Sequence, residues 1–161
     1  MKDGLMFHTC FNVPLEWVTA RDSGLLIKNI IKRDYEENGV KNFWKHCFNI
    51  GGGARNRVTG YDTFNEGFEI IGGSTEKFMK PGGNSIRNFH GLWFSDSDEL
   101  QNMFDFQRET VKDYWQEILK RHPYYKLAKF FPSRVIRKFA IERLLKDENS
   151  PTHWIRNKDE G

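Results

Sequence analysis

The chain has 161 residues and a formal net charge of +3; 38% of its residues are hydrophobic and 15% aromatic. This length fits one domain with a core of its own. No apolar run approaches the ~20 residues that a membrane-spanning helix needs. The N-terminal sequence MKDGLMFHTCFNVPLEW lacks the long apolar stretch and small-residue cleavage site of a signal peptide. Composition therefore argues against a membrane-spanning or secreted protein and predicts a cytoplasmic one.

The cysteines and histidines give no metal-ligand pattern. Cys10 and Cys47 are the only cysteines, and neither belongs to a C-x-x-C motif. The five histidines are dispersed, and no pair has the H-x-x-x-H spacing. We therefore expect reduced thiols in a cytoplasmic compartment and no metal site.

The first third of the chain predicts a strand, a helix and a second strand. Residues 15–19 are short, apolar and β-favouring, and Asp22 or Ser23 offers an N-cap for a helix that ends near Gly39. Residues 43–50 have the composition of a second strand. Two strands separated by a helix are typical of a βαβ unit, which predicts an α/β fold with parallel strands.

The remainder of the sequence predicts mainly helices. Thr59 or Asp62 could cap a helix that continues to residue 71, and residues 74–90 read as a loop rich in Gly, Ser, Asn and Pro. The segments SDSDELQNMF and RETVKDYWQEILKRH each carry helix-start signals. Two further helices fit residues 124–131 and 133–147, separated by Pro132.

The run HCFNIGGGARNR, residues 46–57, raises the question of a phosphate site. Glycine-rich turns ahead of helices bind phosphates through exposed backbone N–H groups. Gly51, Gly52 and Gly53 form neither G-x-G-x-x-G nor a P-loop. Two interpretations stay open: a turn by which the chain leaves a sheet edge, or a supporting loop that places Arg55 or Arg57 near an anionic ligand. A primary dinucleotide site is excluded.

The order of several short motifs resembles the C-terminal third of extended short-chain dehydrogenases/reductases, the group of NAD-dependent epimerases and dehydratases. Asp22 matches the acid that opens a helix after a strand, and the residues from Asn49 to Gly52 match a strand-end signature. Asp96, Ser97 and Leu100 match a later helix-opening segment. Residues 103–106 replace the family's leucine-glycine-aromatic element. The resemblance covers residues 13–121.

This resemblance implies a partial Rossmann-like unit followed by a mainly helical substrate-side region. The implied domains are residues 1–73 in the sheet, 74–121 as substrate-side loop and helices, 122–147 as a basic helical extension, and 148–161 as a polar tail. The implied parent chemistry is NAD- or NADP-dependent oxidation and reduction at a hydroxyl-bearing carbon of a small, sugar-type molecule.

The family's cofactor turn and its catalytic Tyr-x-x-x-Lys precede the part that this sequence resembles. We therefore expect this chain by itself to bind no dinucleotide tightly and to be inactive as a truncated product or split subunit. Tyr125 and Lys129 satisfy Tyr-x-x-x-Lys literally. They follow the C-terminal signatures instead of preceding them, so no catalytic residue is assigned.

Three residues are candidates for substrate binding. Arg87 precedes the Asp96 segment, where nucleotide-sugar members of the family carry a phosphate-binding arginine, and a guanidinium suits that task. Arg55 follows the glycines, and Asn49 begins the strand-end signature. An exposed loop arginine with no ligand is the alternative for Arg87.

Residues 120–146 carry nine Lys or Arg and one Glu, a net charge of +8, which leaves −5 for the rest of the chain. Residues 133–147 predict a basic amphipathic helix. Four interpretations stay open: a helix packed on the domain, an interface with a partner chain, an anionic membrane surface, and nucleic acid. The helix packed on the domain is the favoured interpretation. Nucleic acid and an anionic membrane are the less favoured partners. A non-catalytic interaction module is accordingly the alternative function.

A sheet cut from a larger one exposes an unpaired edge and apolar surface. We therefore expect a companion chain over that edge, or self-association through it.

Overall fold

A computed structural model describes residues 9–79, 83–85, 91–146 and 150–153 of the chain. The chain divides into two compact units. Unit 1 takes its described residues from Met1–Val13, Thr59–Gly91 and Trp115–Gly161, and unit 2 consists of Pro14–Val58 and Leu92–Tyr114. The predicted domain boundaries stay a prediction.

Unit 2 contains a long helix whose ends are fixed by local chemistry. Strand β1 (Pro14–Glu16) leads to α1 (Ala20–Glu37). The Thr19 side chain accepts the N–H of Asp22, which makes Thr19 the N-cap, and α1 ends at Asn38 in the left-handed conformation with φ 52°. The predicted helix is thus confirmed, but it begins one turn earlier than Asp22 or Ser23 would place it.

The rest of unit 2 packs around α1. A short 3-10 turn (Ala54–Asn56) precedes strand β2, which spans Arg57–Thr59. Helix α4 (Ser97–Phe104) covers the apolar side of α1. The core of this unit is one cluster of buried apolar side chains, namely Leu26, Val40, Leu100, Phe104 and Phe106.

Unit 1 is helical. Thr59, one of the two N-caps that the sequence offered, starts α2 (Gly60–Glu69) through a capping box with Asp62, and the helix ends two residues before the predicted residue 71. Helix α3 (Thr75–Phe78) follows, and α5 (Val111–Arg121) crosses from the residues of unit 2 into those of unit 1.

The C-terminal part of unit 1 begins with a 3-10 helix (Pro123–Phe130). It continues through α6 (Ser133–Ile136), a π turn (Arg137–Ile141) and α7 (Glu142–Leu144). The core of the unit is formed by Phe68, Phe78, Met79, Ile141 and Leu145.

The predicted parallel βαβ unit is wrong for the described residues. Among them the sheet consists of β1 and β2 alone, and these strands are antiparallel. The class α/β holds, with helices dominating. Residues 43–50, predicted as the second strand, form turns and irregular chain instead.

The physical reason lies in the aromatic residues of 43–50. Asn42 and Lys45 have positive φ angles of 60° and 72°, which an extended strand does not allow. Phe43 packs edge-on against Phe104, with ring centroids 4.9 Å apart, and stacks on Phe48 at 5.6 Å. Aromatic residues favour strands statistically, but here the packing of the partly buried Phe43 and Phe48 against the core of unit 2 decides the conformation.

The helices of the described residues carry no stretch long and apolar enough to cross a bilayer. The described part of the chain also contains no cluster of three or more His, Cys, Asp or Glu side chains arranged to hold a metal ion. Cys10 is buried and Cys47 is exposed, and both are free thiols.

Candidate functional site

The glycine run contacts a carboxylate of the protein itself, the side chain of Glu16. Gly51, Gly52 and Gly53 are buried in unit 2, and the N–H of Gly53 donates to Oε1 of Glu16 at 3.0 Å. A Cβ on Gly51 would overlap the Glu16 carboxylate. The place where a phosphate would sit in a glycine-rich loop is therefore filled by a carboxylate from β1.

Glu16 is the centre of this arrangement. Its side chain is fully buried, and its Oε2 accepts the Nε–H of Arg57 at 3.1 Å and the backbone N–H of Phe94 at 3.0 Å. The Ser97 hydroxyl donates to the same carboxylate. A buried carboxylate with these donors is stable as an anion and ties β1, β2 and the start of α4 together.

The pKa of Glu16 reflects two opposed effects. Burial by itself raises this pKa, because it disfavours the charged form. The hydrogen bonds from Ser97, Arg57 and the backbone of Phe94 and Gly53 outweigh burial, so the pKa of Glu16 lies below its ordinary value. Glu16 is thus ionised at neutral pH and acts as a structural anion. A proton-transfer group would need a raised pKa.

Arg57 was one of the two arginines expected near an anionic ligand, and the anion it binds is Glu16. Its Nη2 group donates to the carbonyl oxygen of Phe94 at 2.8 Å and to the Ser97 hydroxyl at 3.2 Å. The Nε and Nη2 donors of the guanidinium are thus directed to protein groups.

Asn56 fixes the end of the glycine run. Its side chain is fully buried, its amide donates to the carbonyl oxygen of Glu109 at 2.7 Å, and its Oδ1 accepts the N–H of Val111 at 3.1 Å. A Cβ on Gly52 would overlap both Asn56 and the carbonyl oxygen of Trp17. The glycines are therefore required by close approach of the backbone.

Residues 107–109 connect three distant parts of unit 2. The Gln107 amide donates to the carbonyl oxygens of Gly51 at 2.9 Å and Ser97 at 3.4 Å. The backbone N–H groups of Arg108 and Glu109 donate to Oδ2 of Asp22 at 3.0 and 3.1 Å. Asp22 is 1% exposed, so it too is a buried acceptor that holds structure.

Asn49, a predicted substrate contact, is exposed and binds Asp96. Its amide donates to both carboxylate oxygens at 3.0 Å, and this hydrogen bond lowers the pKa of Asp96. The pair joins the middle of segment 46–53 to the N-terminus of α4.

Arg55 is also exposed, on the 3-10 turn after the glycines, and it has a different neighbour. Hydrogen bonds from Thr110 lower the pKa of Asp113, and the charge of Arg55 lowers it further. Asn49 thus binds Asp96, whereas Arg55 acts on Asp113 only through its charge. Arg87, the third candidate, lies outside the described residues.

Tyr125 and Lys129 lie on the 3-10 helix of unit 1. In a 3-10 helix residues three apart align, so residues four apart do not share a face as they do in an α-helix. A hydrogen bond with Tyr124 raises the pKa of Tyr125, whereas a catalytic tyrosine needs a lowered one. Neither feature favours acid–base catalysis by this pair.

The structural role of Glu16 was not anticipated from the sequence. The available signal was a carboxylate inside an apolar, strand-forming run, LEWV. A buried charge in such a run requires a partner, and Arg55 and Arg57 are the two cations that follow the glycines.

Comparisons with known proteins add no relative. No family model, curated protein or solved structure matches this chain.

Proposed function

We propose that this chain is the substrate-side portion of an NAD(P)-dependent oxidoreductase of the epimerase/dehydratase type. In this proposal its parent acts at a hydroxyl-bearing carbon of a sugar-type molecule in the cytoplasm.

One observation supports the proposal most directly. The three motifs that resemble the family are separated by 26 or more residues, yet residues 107–109 and one side-chain pair connect them. Gln107 binds the backbone at Gly51 and at Ser97, Arg108 binds Asp22, and Asn49 binds Asp96. Motifs that were matched only by their order thus belong to one hydrogen-bonded assembly.

In this proposal the chain contributes shape and substrate contacts. The glycine run is occupied by Glu16, so the pyrophosphate of NAD or NADP would bind residues of the dinucleotide-binding half. Asn49, Arg55 and Arg87 are the candidate contacts of this chain to the substrate. The chain alone binds no dinucleotide tightly and catalyses no turnover.

The test is isothermal titration with NADH and NADPH, first of this chain and then of its mixture with the polypeptide encoded immediately upstream. We expect no binding by the chain alone, and micromolar binding together with hydride transfer in the mixture. Micromolar binding of either dinucleotide by the chain alone would contradict the proposal. So would a neighbouring polypeptide that lacks G-x-x-G-x-x-G and Tyr-x-x-x-Lys.

A second candidate, from another class, is a non-catalytic interaction module that uses the basic C-terminal segment. It is favoured by the exposure of Phe130 (72%) and Phe139 (70%) within a segment of net charge +8. Binding of an anionic partner that weakens steeply with added salt, in a protein that gains no activity from any companion chain, would favour this candidate over the first.

A further inference from the structure

The 3-10 helix of unit 1 presents a row of apolar side chains to solvent. Tyr124, Leu127 and Phe130 are 57%, 55% and 72% exposed. They are three residues apart, and side chains at this spacing align along a 3-10 helix. The row is therefore a continuous apolar ridge on the outer side of the element.

The following helix adds two more outward apolar residues. A π turn closes over five residues instead of four, so it brings Ile136 and Ile141, five apart, to the same inward side, against the core of unit 1. Val135 and Phe139, four apart, are left exposed by 39% and 70%. The amphipathic helix predicted from the sequence thus buries only part of its apolar face.

Cations flank both apolar rows. Lys126 and Lys129 lie on the 3-10 helix, and Arg134 and Lys138 lie beside Val135 and Phe139; all four are exposed. The ammonium group of Lys129 lies 5.1 Å from the ring centre of Phe130, and that of Lys138 lies 5.9 Å from the ring centre of Phe139.

These four cations form no ion pair with a carboxylate of the described residues. The one acid of residues 120–146, Glu142, lies 3.8 Å from Arg137 instead. We call the set of exposed apolar and basic side chains the basic aromatic face. It comprises Tyr124, Leu127, Phe130, Phe131, Val135 and Phe139 with Lys126, Lys129, Arg134 and Lys138.

We propose that the basic aromatic face docks the protein onto the surface of an anionic phospholipid bilayer. Aromatic and aliphatic side chains that project from a short helix enter the boundary between headgroups and acyl chains. Lysine and arginine side chains extend to the headgroup phosphates while their methylene stems stay in apolar surroundings. The face supplies both kinds of side chain in alternation, and the excess positive charge complements an anionic leaflet.

The charge and the side-chain types distinguish this occupant from two others. A second copy docked face to face would place two segments of +8 against each other. Single-stranded nucleic acid would use the aromatic rings as stacking platforms, but Leu127 and Val135 offer nothing to a base and are exposed by 55% and 39%. Transfer of aliphatic side chains from water into the hydrocarbon boundary of a bilayer is favourable.

The inference is independent of the proposed oxidoreductase function. It concerns a surface of unit 1, and its test measures binding without cofactor, substrate or companion chain. Failure of either proposal therefore leaves the other standing.

The test is co-sedimentation of the full chain with vesicles of phosphatidylcholine alone and of phosphatidylcholine with phosphatidylserine. We expect binding to the anionic vesicles, weak binding to the neutral ones, and steep loss of binding with added salt. Intrinsic Trp fluorescence and melting temperature establish that every variant is folded.

Two variants separate the apolar from the ionic contribution. The double variant Phe130→Ser with Phe139→Ser should weaken binding about tenfold per aromatic residue. The triple variant Lys126→Gln, Lys129→Gln and Lys138→Gln should weaken it about fivefold per charge. All five side chains are exposed, so the melting temperature should stay that of the wild type.

Matched controls lie on unit 2. Ile27→Ser with Ile31→Ser removes two apolar side chains that are 59% and 65% exposed on α1. Lys28→Gln, Lys32→Gln and Lys41→Gln remove three exposed charges. Both controls should bind anionic vesicles as the wild type does.

Three outcomes would overturn the proposal. The first is equal binding to neutral and anionic vesicles, or none to either. The second is a loss of vesicle binding in the α1 control variants as large as the loss in the Phe130/Phe139 and lysine variants. The third is tighter, salt-dependent binding to a single-stranded oligonucleotide that needs the lysines but not Phe130 and Phe139, which would assign the face to nucleic acid.

Discussion

At the scale of single residues, Glu16 decides the conformation of its surroundings. Its buried carboxylate accepts hydrogen bonds from Gly53, Arg57, Phe94 and Ser97, four residues from two separate parts of the chain. Removing the charge would leave these partly buried donors poorly matched, and an unmatched buried donor is costly.

We predict that Glu16→Gln lowers the free energy of unfolding by about 2–4 kcal/mol, because Arg57 loses its buried counter-ion. Urea denaturation followed by Trp fluorescence measures the loss. The control is Glu36→Gln on α1, whose exposed carboxylate lies 3.8 Å from Lys32 and should matter little. Equal stability of Glu16→Gln and wild type would refute the role assigned to Glu16.

The lowered pKa of Glu16 also predicts a pH dependence. A carboxyl group whose pKa is lower in the folded state stabilises the fold fully above its unfolded pKa, and that contribution is lost as pH falls through the folded pKa. The stability difference between wild type and Glu16→Gln should therefore be constant near neutral pH and shrink on acidification below about pH 4.5. Urea midpoints of both proteins across this range measure it. A difference that grows in acid would show the opposite sign of the pKa shift.

At the scale of elements, the backbone of the glycine run packs directly against the backbone that follows β1. Gly52 approaches the carbonyl oxygen of Trp17 so closely that a Cβ has no room. Segment 46–53 and β1 can therefore pack together only if the side chain is absent.

We predict opposite effects of the same substitution at two glycines of unit 2. Gly52→Ala should destabilise the protein by more than about 2 kcal/mol, because its Cβ meets backbone that cannot move aside. Gly24→Ala should stabilise it by about 0.5–1 kcal/mol, since Gly24 lies inside α1 with open space around its Cβ. Thermal and urea unfolding compare the two. A tolerated Gly52→Ala would contradict the close approach.

At the scale of the whole molecule, large apolar side chains remain exposed in both units. In unit 2 these include Trp44, Ile50, Leu92 and Trp93, which are 46–54% exposed. The outer side of β1 is partly occupied, because the Trp93 indole donates to the carbonyl oxygen of Leu15 at 3.2 Å. Exposed apolar surface of this kind is typical of an interface with another chain.

We therefore predict concentration-dependent self-association of the isolated chain in sedimentation experiments. The double variant Ile50→Ser with Leu92→Ser should reduce it about tenfold, because it removes two exposed side chains from the segments that flank β1. The same change at Ile27 and Ile31 of α1 is the control. A strictly monomeric wild type at high concentration would remove the basis of this prediction.

The helices were predictable because their signals are local. The capping box of α2, the acidic first turn of α4 and the apolar periodicity of α5 are each read within about ten residues. Of the candidate site, the sequence identified Asn49 and the glycines as special positions. It also left open that Arg57 binds an anion, and the structure shows that this anion is Glu16.

The sequence by itself determined the positions of the main helices, the +8 charge of residues 120–146 and the lack of a dinucleotide motif in the glycine run. Only the tertiary structure decided that residues 43–50 are not a strand and that Glu16 fills the glycine loop. It also decided that a π turn leaves Phe139 exposed. These outcomes depend on contacts between residues far apart in the chain. Such contacts produce no periodic pattern that can be read from a single sequence.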